Sequence, residues 1–180
     1  MDREAIRSEP MDLDHHPDWL WAVDRLGQRP ASSANLFPRG SPRPATMEYE
    51  TIDGERIPVV GLGTWQLDPE TAFESVSTAL ELGYRHVDTA QVYGNEAGVG
   101  RAIADADIAR EDIFLTTKVD PSNRTVPDIV AATRESLDRL GVDRVDLLLI
   151  HWPHPLADLA TVMAGLNECV DRGLTRHIGV

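Results

Sequence analysis

Four polar residues lie at or just after the ends of predicted strands in this sequence: Asp88, Tyr93, Lys118 and His151. A carboxylate, a phenol, an ammonium group and an imidazole can together donate a proton and stabilise charge on an oxygen atom. Taken singly, each has a structural alternative: Asp88 could cap a helix, Tyr93 could be a loop aromatic, and His151 could be a hydrogen-bonded residue at the rim. Their occurrence together at matching positions favours a functional site.

Lys118 is the only lysine among 17 basic residues, which are opposed by 30 acidic ones to give a net charge of −13. Phosphate backbones would repel so acidic a chain, which disfavours nucleic acid as a partner. Scarce lysine with an acidic excess predicts a halophilic protein, because salt screens the self-repulsion. An acidic proteome with GC-rich codons is the alternative explanation.

Several other kinds of site are disfavoured. Residues 61–63 (GLG) lack the third glycine of a dinucleotide-binding fingerprint, and the sequence contains no P-loop. Pro153 lies between His151 and His154 and prevents a helical pair, so we expect no metal site. No apolar run is long enough for a membrane helix, and the charged N-terminus is unlike a secretory signal. The single cysteine, Cys169, suits the reducing cytoplasm.

The elements that would position these residues alternate between strands and helices. Asp53-Gly54 is a strong hairpin signal within 51–57, and Thr125 with Asp128 forms a variant of the helix capping box. The pattern predicts strands at 58–62, 85–88, 113–118, 145–150 and 176–180, and helices at 69–83, 95–105, 125–141 and 156–172. In the last helix, spacing predicts inward side chains at Leu159, Val162, Met163, Leu166 and Val170. This order indicates βαβ units, in either a doubly wound sheet or a barrel.

The composition changes abruptly near residue 46. Residues 1–46 hold 6 of the 12 prolines and are nearly neutral, whereas 47–180 carry almost all of the net negative charge. We therefore predict a low-order N-terminal extension over 1–46, with one short helix at 18–26, and a folded domain over 47–180. The alternative is a docking arm that uses Trp19 and Trp21.

The folded part resembles the aldo-keto reductase family. The resemblance rests on residues 61–65 (GLGTW), 83–90 (GYRHVDTA), 92–96 (VYGNE), 117–118 (TK) and 147–153 (LLLIHWP). It implies a (β/α)8 TIM barrel, of which 47–180 would be the N-terminal part: a hairpin, about five strands and four helices, ending at residues 178–180 (IGV) of strand five. It also implies NAD(P)H-dependent reduction of aldehydes or ketones to alcohols.

The same resemblance implies a role for each site residue. Tyr93 would be the general acid that protonates the carbonyl oxygen; because a free phenol has a pKa of about 10, a neighbouring ammonium, that of Lys118, would stabilise its phenolate. Asp88 would hold Lys118, and His151 would orient the carbonyl. The nicotinamide end of NADP, or of NAD, would contact Gly63, Thr64, Trp65 and Asp88. A small carbonyl substrate would contact Trp65 and Trp152, although both indoles could instead pack at the rim.

The family continues beyond Val180 with Ser-Asn and three further βα units. By the resemblance, those units supply the amide clamp for the nicotinamide, its stacking aromatic and the basic residues for the adenosine phosphate. We therefore expect this chain to be an incomplete version of the enzyme, without appreciable carbonyl reduction by itself. The alternative function is a non-catalytic half-barrel that associates through its open edges with a partner or with itself.

Overall fold

A computed structural model describes residues 47–52, 54–153 and 158–180. Its first two strands, β1 (Tyr49–Ile52) and β2 (Glu55–Pro58), form the predicted antiparallel hairpin. Gly54 in the turn has a φ of 86°, a left-handed conformation that favours glycine. The carboxylate of Glu55 accepts a hydrogen bond of 3.2 Å from the guanidinium of Arg176, which ties the hairpin to the last strand of the sheet.

The remaining strands and helices alternate along the chain. The strands are β3 (Leu62–Gly63), β4 (His86–Asp88), β5 (Phe114–Val119), β6 (Val145–Ile150) and β7 (Thr175–Gly179). The helices are α1 (Pro69–Glu81), α2 (Glu96–Asp105), α3 (Val126–Leu140) and α4 (Leu159–Asp171), with short 3₁₀ turns at Gln91–Tyr93 and Arg110–Asp112. The strands lie side by side in chain order, each parallel to the next. A doubly wound sheet reverses its order at a switch point, so this order favours the barrel.

Side-chain caps begin α1 and α3 at the residues that the sequence predicts. Oδ1 of Asp68 accepts hydrogen bonds of 3.0 Å from the backbone N–H groups of Glu70 and Thr71, and Pro69 takes the first helical position. The hydroxyl of Thr125 accepts from the backbone of Asp128 in the same way at the start of α3. None of the described helices is long and apolar enough to cross a membrane.

The core lies between the four helices and one face of the sheet. Its largest fully buried side chains include Leu115 and Leu148 from the strands and Ile129 and Leu166 from the helices. Several side chains on the opposite face of the sheet are only half-buried: Lys118, Leu147, Leu149 and His177. In a barrel this second face is the interior.

The prediction of a buried strand at 58–62 is wrong. Pro58 ends β2, Val59 and Val60 are 54% and 53% exposed in a bend, and only Leu62–Gly63 joins the parallel sheet. The backbone N–H of Val59 donates to the carbonyl of Glu48 at 2.9 Å, so this residue extends the hairpin. The apolar run lies where the chain passes from the hairpin to the sheet, and its side chains therefore have no sheet face to cover.

The inward face of α4 also differs from the prediction. Leu159 and Val170 are exposed, whereas Gly165 and Cys169 are buried. A Cβ at Gly165 would lie 2.6 Å from Cδ1 of Ile129, so α4 packs on α3 through its small residues. The other three predicted positions are buried or half-buried: Val162, Met163 and Leu166. The predicted helical residues 156–157 and the predicted helix at 18–26 lie outside the described residues.

Candidate active site

The ends of three neighbouring strands bring the predicted catalytic residues together. Asp88 is the last residue of β4, Lys118 is the last but one of β5, and His151 directly follows β6. Tyr93 ends the 3₁₀ turn after β4, which is closed by Gly94 in the left-handed conformation, with a φ of 67°. Because parallel strands point their carboxyl ends toward one edge of the sheet, the four side chains share that edge.

The ammonium of Lys118 has two acceptors. Its Nζ donates one hydrogen bond to Oδ1 of Asp88 and another, of 3.0 Å, to the backbone carbonyl of Thr89. The Lys118 side chain is 13% exposed and that of Asp88 is 35% exposed, so the ion pair is partly shielded from water. Register explains the contact, since Asp88 pairs with Thr116, two residues before Lys118 on the same strand face.

Tyr93 and His151 meet edge to face, with their polar atoms adjacent. Their ring centroids lie 5.3 Å apart, and Oη of Tyr93 is 3.5 Å from Nε2 of His151. The backbone N–H of His151 donates to the carbonyl of Val119 at 3.2 Å, which fixes the histidine beside β5. Nζ of Lys118 lies 5.3 Å from the centroid of the Tyr93 ring, within the range of a cation–π contact. The phenol therefore lies between an imidazole and an ammonium group.

The His151 imidazole is neutral at neutral pH. Burial lowers its pKa below the usual value, the charge of Lys118 lowers it further, and the carboxylates of Asp88 and Asp120 oppose this only in part. Nδ1 is buried without a hydrogen-bond partner in the described part of the chain. A buried N–H without an acceptor is costly, so the proton belongs on Nε2, which faces Tyr93.

The end of β3 presents the three other predicted cofactor residues in different ways. Gly63 pairs with Asp88, and a Cβ at Gly63 would have no atom within 4 Å, so the strand end is open to a ligand. The indole of Trp65 is 58% exposed. Thr64 is instead fully buried: its backbone N–H and its hydroxyl donate to the carbonyl of Asp88 and to the hydroxyl of Thr89, each at 3.0 Å. The Thr64 side chain is thus turned into the protein.

Trp152 lies on the other side of His151. Its indole is 51% exposed, and its ring centroid is 4.2 Å from that of the histidine. It lines a shallow pocket of about 60 Å³ together with Asp120 and Asn123. Both predicted substrate residues, Trp65 and Trp152, therefore present apolar surface to solvent near the site. The described residues hold no group of three or more histidine, cysteine and acidic side chains placed to bind a metal ion.

A layer of buried polar residues beneath the site was missed by the sequence analysis. Asn95 is fully buried, and its amide donates a hydrogen bond of 2.8 Å to the carbonyl of Thr64. Glu96 is 1% exposed and accepts from the hydroxyl of Thr117 at 2.6 Å and from Nε of Arg139 at 2.8 Å. Both residues begin α2 directly after the Tyr93 turn, a position where the residue type alone suggests a helix cap or an exposed acid.

Comparison with known proteins places the chain in a family. Residues 59–180 match the model of the Aldo/keto reductase family. Over 127 residues the chain is 48% identical to methylglyoxal reductase DkgB of Salmonella typhi, an alignment that covers 69% of this chain and 47% of that protein. The chain spans about half the length of the curated relatives it matches.

Solved structures agree in fold. The chain is similar to an aldo/keto reductase from Brucella melitensis with a TM-score of 0.72 and 43% identity, over 75% of this chain and 52% of that one. An aldo-keto reductase of Bombyx mori, solved in complex with NADP, has a TM-score of 0.68 and 34% identity, over 75% of this chain and 50% of that one. These similarities confirm the resemblance and the α/β fold of TIM-barrel type.

Proposed function

Because the chain belongs to the aldo/keto reductase family, we propose that its site reduces an aldehyde or ketone to an alcohol with NAD(P)H as the hydride donor. The observation that carries this proposal is the 3.5 Å separation between Oη of Tyr93 and Nε2 of His151, beside the ion pair of Lys118 with Asp88. Two polar atoms this far apart can both reach one oxygen atom at hydrogen-bonding distance. A carbonyl oxygen at that point would meet two donors.

Tyr93 is the proton donor in this proposal. Hydride addition to the carbonyl carbon builds negative charge on the oxygen, and the phenolic proton neutralises it. The ammonium of Lys118, close to the tyrosine ring, stabilises the phenolate that remains. Asp88 and the carbonyl of Thr89 hold that ammonium in place, so its position does not depend on the substrate.

His151 positions the carbonyl. A neutral imidazole with its proton on Nε2 donates a hydrogen bond to the carbonyl oxygen and carries no charge that would compete with Lys118. The lowered pKa of His151 keeps the ring in that form at neutral pH. The edge-to-face contact with the Tyr93 ring fixes its distance from the proton donor.

The end of β3 fits the nicotinamide. The open space at Gly63 admits a flat ring beside Asp88, and the exposed indole of Trp65 offers an apolar wall. When bound, the nicotinamide supplies the hydride. We favour NADP as the cofactor, with NAD as the alternative, because the similar Bombyx mori structure contains NADP. Parallel titrations with NADPH and NADH, followed by fluorescence, decide between the two.

The substrate in this proposal is a small carbonyl compound. Trp152 presents exposed apolar surface beside His151, Trp65 presents it just after β3, and the pocket beside Trp152 is shallow. Methylglyoxal is a suitable first probe, since the similar Salmonella typhi protein is a methylglyoxal reductase.

The experiment follows methylglyoxal-dependent oxidation of NADPH by residues 1–180, alone and with a polypeptide that carries the remaining βα units of a relative. We expect turnover in the supplemented protein and little in the isolated chain, because orientation of both reactants supplies about 7–11 kcal/mol of catalysis and needs the whole cofactor held. Bound NADPH without turnover in the supplemented protein would contradict the proposed activity.

A second candidate function is association without catalysis. Within the described residues, β3 and β7 are the edges of the parallel sheet, and Leu147 and Leu149 on its second face are only half-buried. Such edges and faces favour pairing with another chain. Light scattering of the purified chain and NADPH titration of the supplemented protein separate the two candidates: a stable oligomer that binds no NADPH even when supplemented supports association, and NADPH binding by the supplemented protein supports the reductase.

We also propose that the protein is halophilic and cytoplasmic. The net charge of −13 supports a halophilic protein, and the single cysteine supports the cytoplasm. Cys169 is buried, and burial raises the pKa of its thiol, so this thiol is a poor nucleophile. The melting temperature should rise by several degrees from about 0.1 M to about 1 M salt, because screening relieves self-repulsion. A flat response would contradict salt adaptation.

A further inference from the structure

Asn95 occupies the N-cap position of α2, yet its side chain does not cap the helix. Asparagine is among the preferred N-cap residues because its oxygen accepts from the first helical N–H groups. Here the fully buried amide points instead toward the end of β3. A residue that departs from its local preference at a buried position is expected to serve a site.

Both N–H groups and the oxygen of the Asn95 amide are hydrogen-bonded. Nδ2 donates to the carbonyls of Thr64 and Leu67, at 2.8 and 2.9 Å. Oδ1 accepts from the hydroxyl of Thr89 at 3.0 Å. The Thr64 hydroxyl, whose proton goes to Thr89, lies 3.4 Å from Oδ1. Exchanging the two ends of the amide would place its oxygen against two carbonyl oxygens. The side chain is therefore fixed in one orientation.

The turn that Asn95 binds is strained. Gln66 has a φ of 62°, and it is the only residue other than glycine with a positive φ in the described ranges. The carbonyls of Thr64 and Leu67 flank it, and the N–H of Leu67 donates to Thr64 at 3.3 Å. A left-handed residue without glycine's freedom persists only where its surroundings enforce it. The two hydrogen bonds that Nδ2 of Asn95 donates to these carbonyls hold the turn in this conformation.

The oxygen of the Asn95 amide is linked to the ammonium of Lys118 through Thr89. Thr89, whose hydroxyl donates to Oδ1 of Asn95, is also the residue whose carbonyl accepts from Lys118. Tyr93 lies two residues before Asn95 in the chain, across Gly94. The buried Asn95 side chain thus connects the turn at 64–67 with Thr89, whose carbonyl accepts from Lys118, and Asn95 follows the turn that carries Tyr93.

We propose that Asn95 is a positioning residue, which sets the turn at 64–67 relative to Lys118 and Tyr93 and so fixes the nicotinamide end of the cofactor against the proton donor. This inference rests on the proposed function. Asn95 itself touches no reacting atom; it acts through the backbone of Thr64 and Leu67 and through Thr89.

The test compares Asn95→Asp, Asn95→Ala and the control Asn167→Ala, which removes an exposed asparagine on α4. Aspartate keeps the acceptor oxygen and the shape but replaces the two N–H donors. In both Asn95 variants, amide hydrogen exchange at Leu67 should accelerate at least about tenfold, because its carbonyl and that of Thr64 lose buried donors. In the same variants, exchange at the core residue Leu148 should match that of the wild type. In Asn167→Ala, the exchange rates at both Leu67 and Leu148 should match those of the wild type.

NADPH affinity of the supplemented protein, measured by fluorescence, gives the second readout: the dissociation constant should rise at least about tenfold in Asn95→Asp. Equal acceleration at Leu148 would show a merely structural role and overturn the proposal, as would unchanged exchange at Leu67. If the supplemented wild-type protein binds no NADPH, the proposed function fails, while exchange in Asn95→Asp still decides whether Asn95 holds the turn. If the wild type binds and Asn95→Asp binds equally well, the positioning role fails and the function stands.

Discussion

Oη of Tyr93 lies 3.5 Å from Nε2 of His151, although 58 residues separate them in the sequence. The contact exists because the turn after β4 and the end of β6 lie on either side of β5, which contributes Lys118 between them. The three strands thus bring a phenol, an imidazole and an ammonium group to one point. The proposed chemistry depends on this convergence, and the predictions below test its parts.

Replacing Lys118 with methionine should lower kcat by about 10²–10⁴-fold, because the phenolate of Tyr93 would lose its neighbouring charge. Methionine keeps much of the apolar stem, so the fold should persist. Steady-state turnover of methylglyoxal by the supplemented protein checks the effect, with circular dichroism as the check on folding. Arg101→Met, which removes an exposed cation paired with Glu70, is the matched control and should leave turnover unchanged. Turnover near the wild-type value in folded Lys118→Met would rule out its role.

Stability should fall as the pH drops below about 6.5. Burial lowers the pKa of His86 and of His151 in the folded state. Between the folded and unfolded pKa values the unfolded chain binds more protons, so acid favours unfolding, and the loss is complete below the folded values. Melting temperatures from about pH 8 to about pH 5 check this.

In that experiment, His86→Gln should weaken the dependence on pH without abolishing it, since His151 remains. Asp120, whose pKa is lowered by hydrogen bonds from Ser122, would add its own loss only below its ordinary pKa of 3.8, in a separate window. A melting temperature that stays constant between about pH 8 and about pH 5 would contradict the assignment of neutral, half-buried imidazoles to His86 and His151.

Arg139→Ala should destabilise the fold by about 3 kcal/mol, because it leaves the carboxylate of Glu96 buried without its ion pair. Arg101→Ala is the control: its pair with Glu70 is exposed, so it should cost less than about 1 kcal/mol. Urea denaturation measures both. Adding Glu96→Gln to Arg139→Ala should recover part of the loss, since it removes the buried charge. Equal losses in the free energy of unfolding would show that the buried ion pair stabilises the fold no more than the exposed pair does.

Deleting residues 1–46 should leave the melting temperature and the circular dichroism spectrum of the remainder essentially unchanged. The reason is the proline content of this segment and the change in charge at its end. Thermal melts of 1–180 and 47–180 provide the measurement. A clear loss of stability would favour the docking-arm alternative, and the pair Trp19→Ala and Trp21→Ala in the full chain would then reproduce it.

Elements set by local chemistry could be predicted from the sequence. Asp68 and Thr125 cap α1 and α3 as expected, and β4, β5 and β6 lie within one residue of their predicted positions at their starts. The run at 58–62 could not be placed this way, because its exposure depends on how the hairpin meets the sheet. The face of α4 depends likewise on the close approach of Gly165 to Ile129.

The four residues of the proposed site were predictable because each lies at or just after the end of a strand. Their buried support was not. Asn95 owes its role to carbonyls about 30 residues earlier in the chain, at Thr64 and Leu67. Glu96 owes its burial to Arg139, 43 residues later. Residue type alone predicts a solvated asparagine and glutamate at a helix start, and only tertiary contacts reverse that expectation.

The central claim is that Tyr93 protonates a carbonyl held between it and His151. Its most direct test is the NADPH-dependent reduction of methylglyoxal by the supplemented protein carrying Tyr93→Phe, with Tyr84→Phe as the matched control. Phenylalanine keeps the ring and its contacts and removes only the hydroxyl. We expect unchanged NADPH affinity and a loss of turnover of about 10²-fold or more in Tyr93→Phe, with normal turnover in Tyr84→Phe. Turnover in Tyr93→Phe equal to that of the wild type would contradict the central claim.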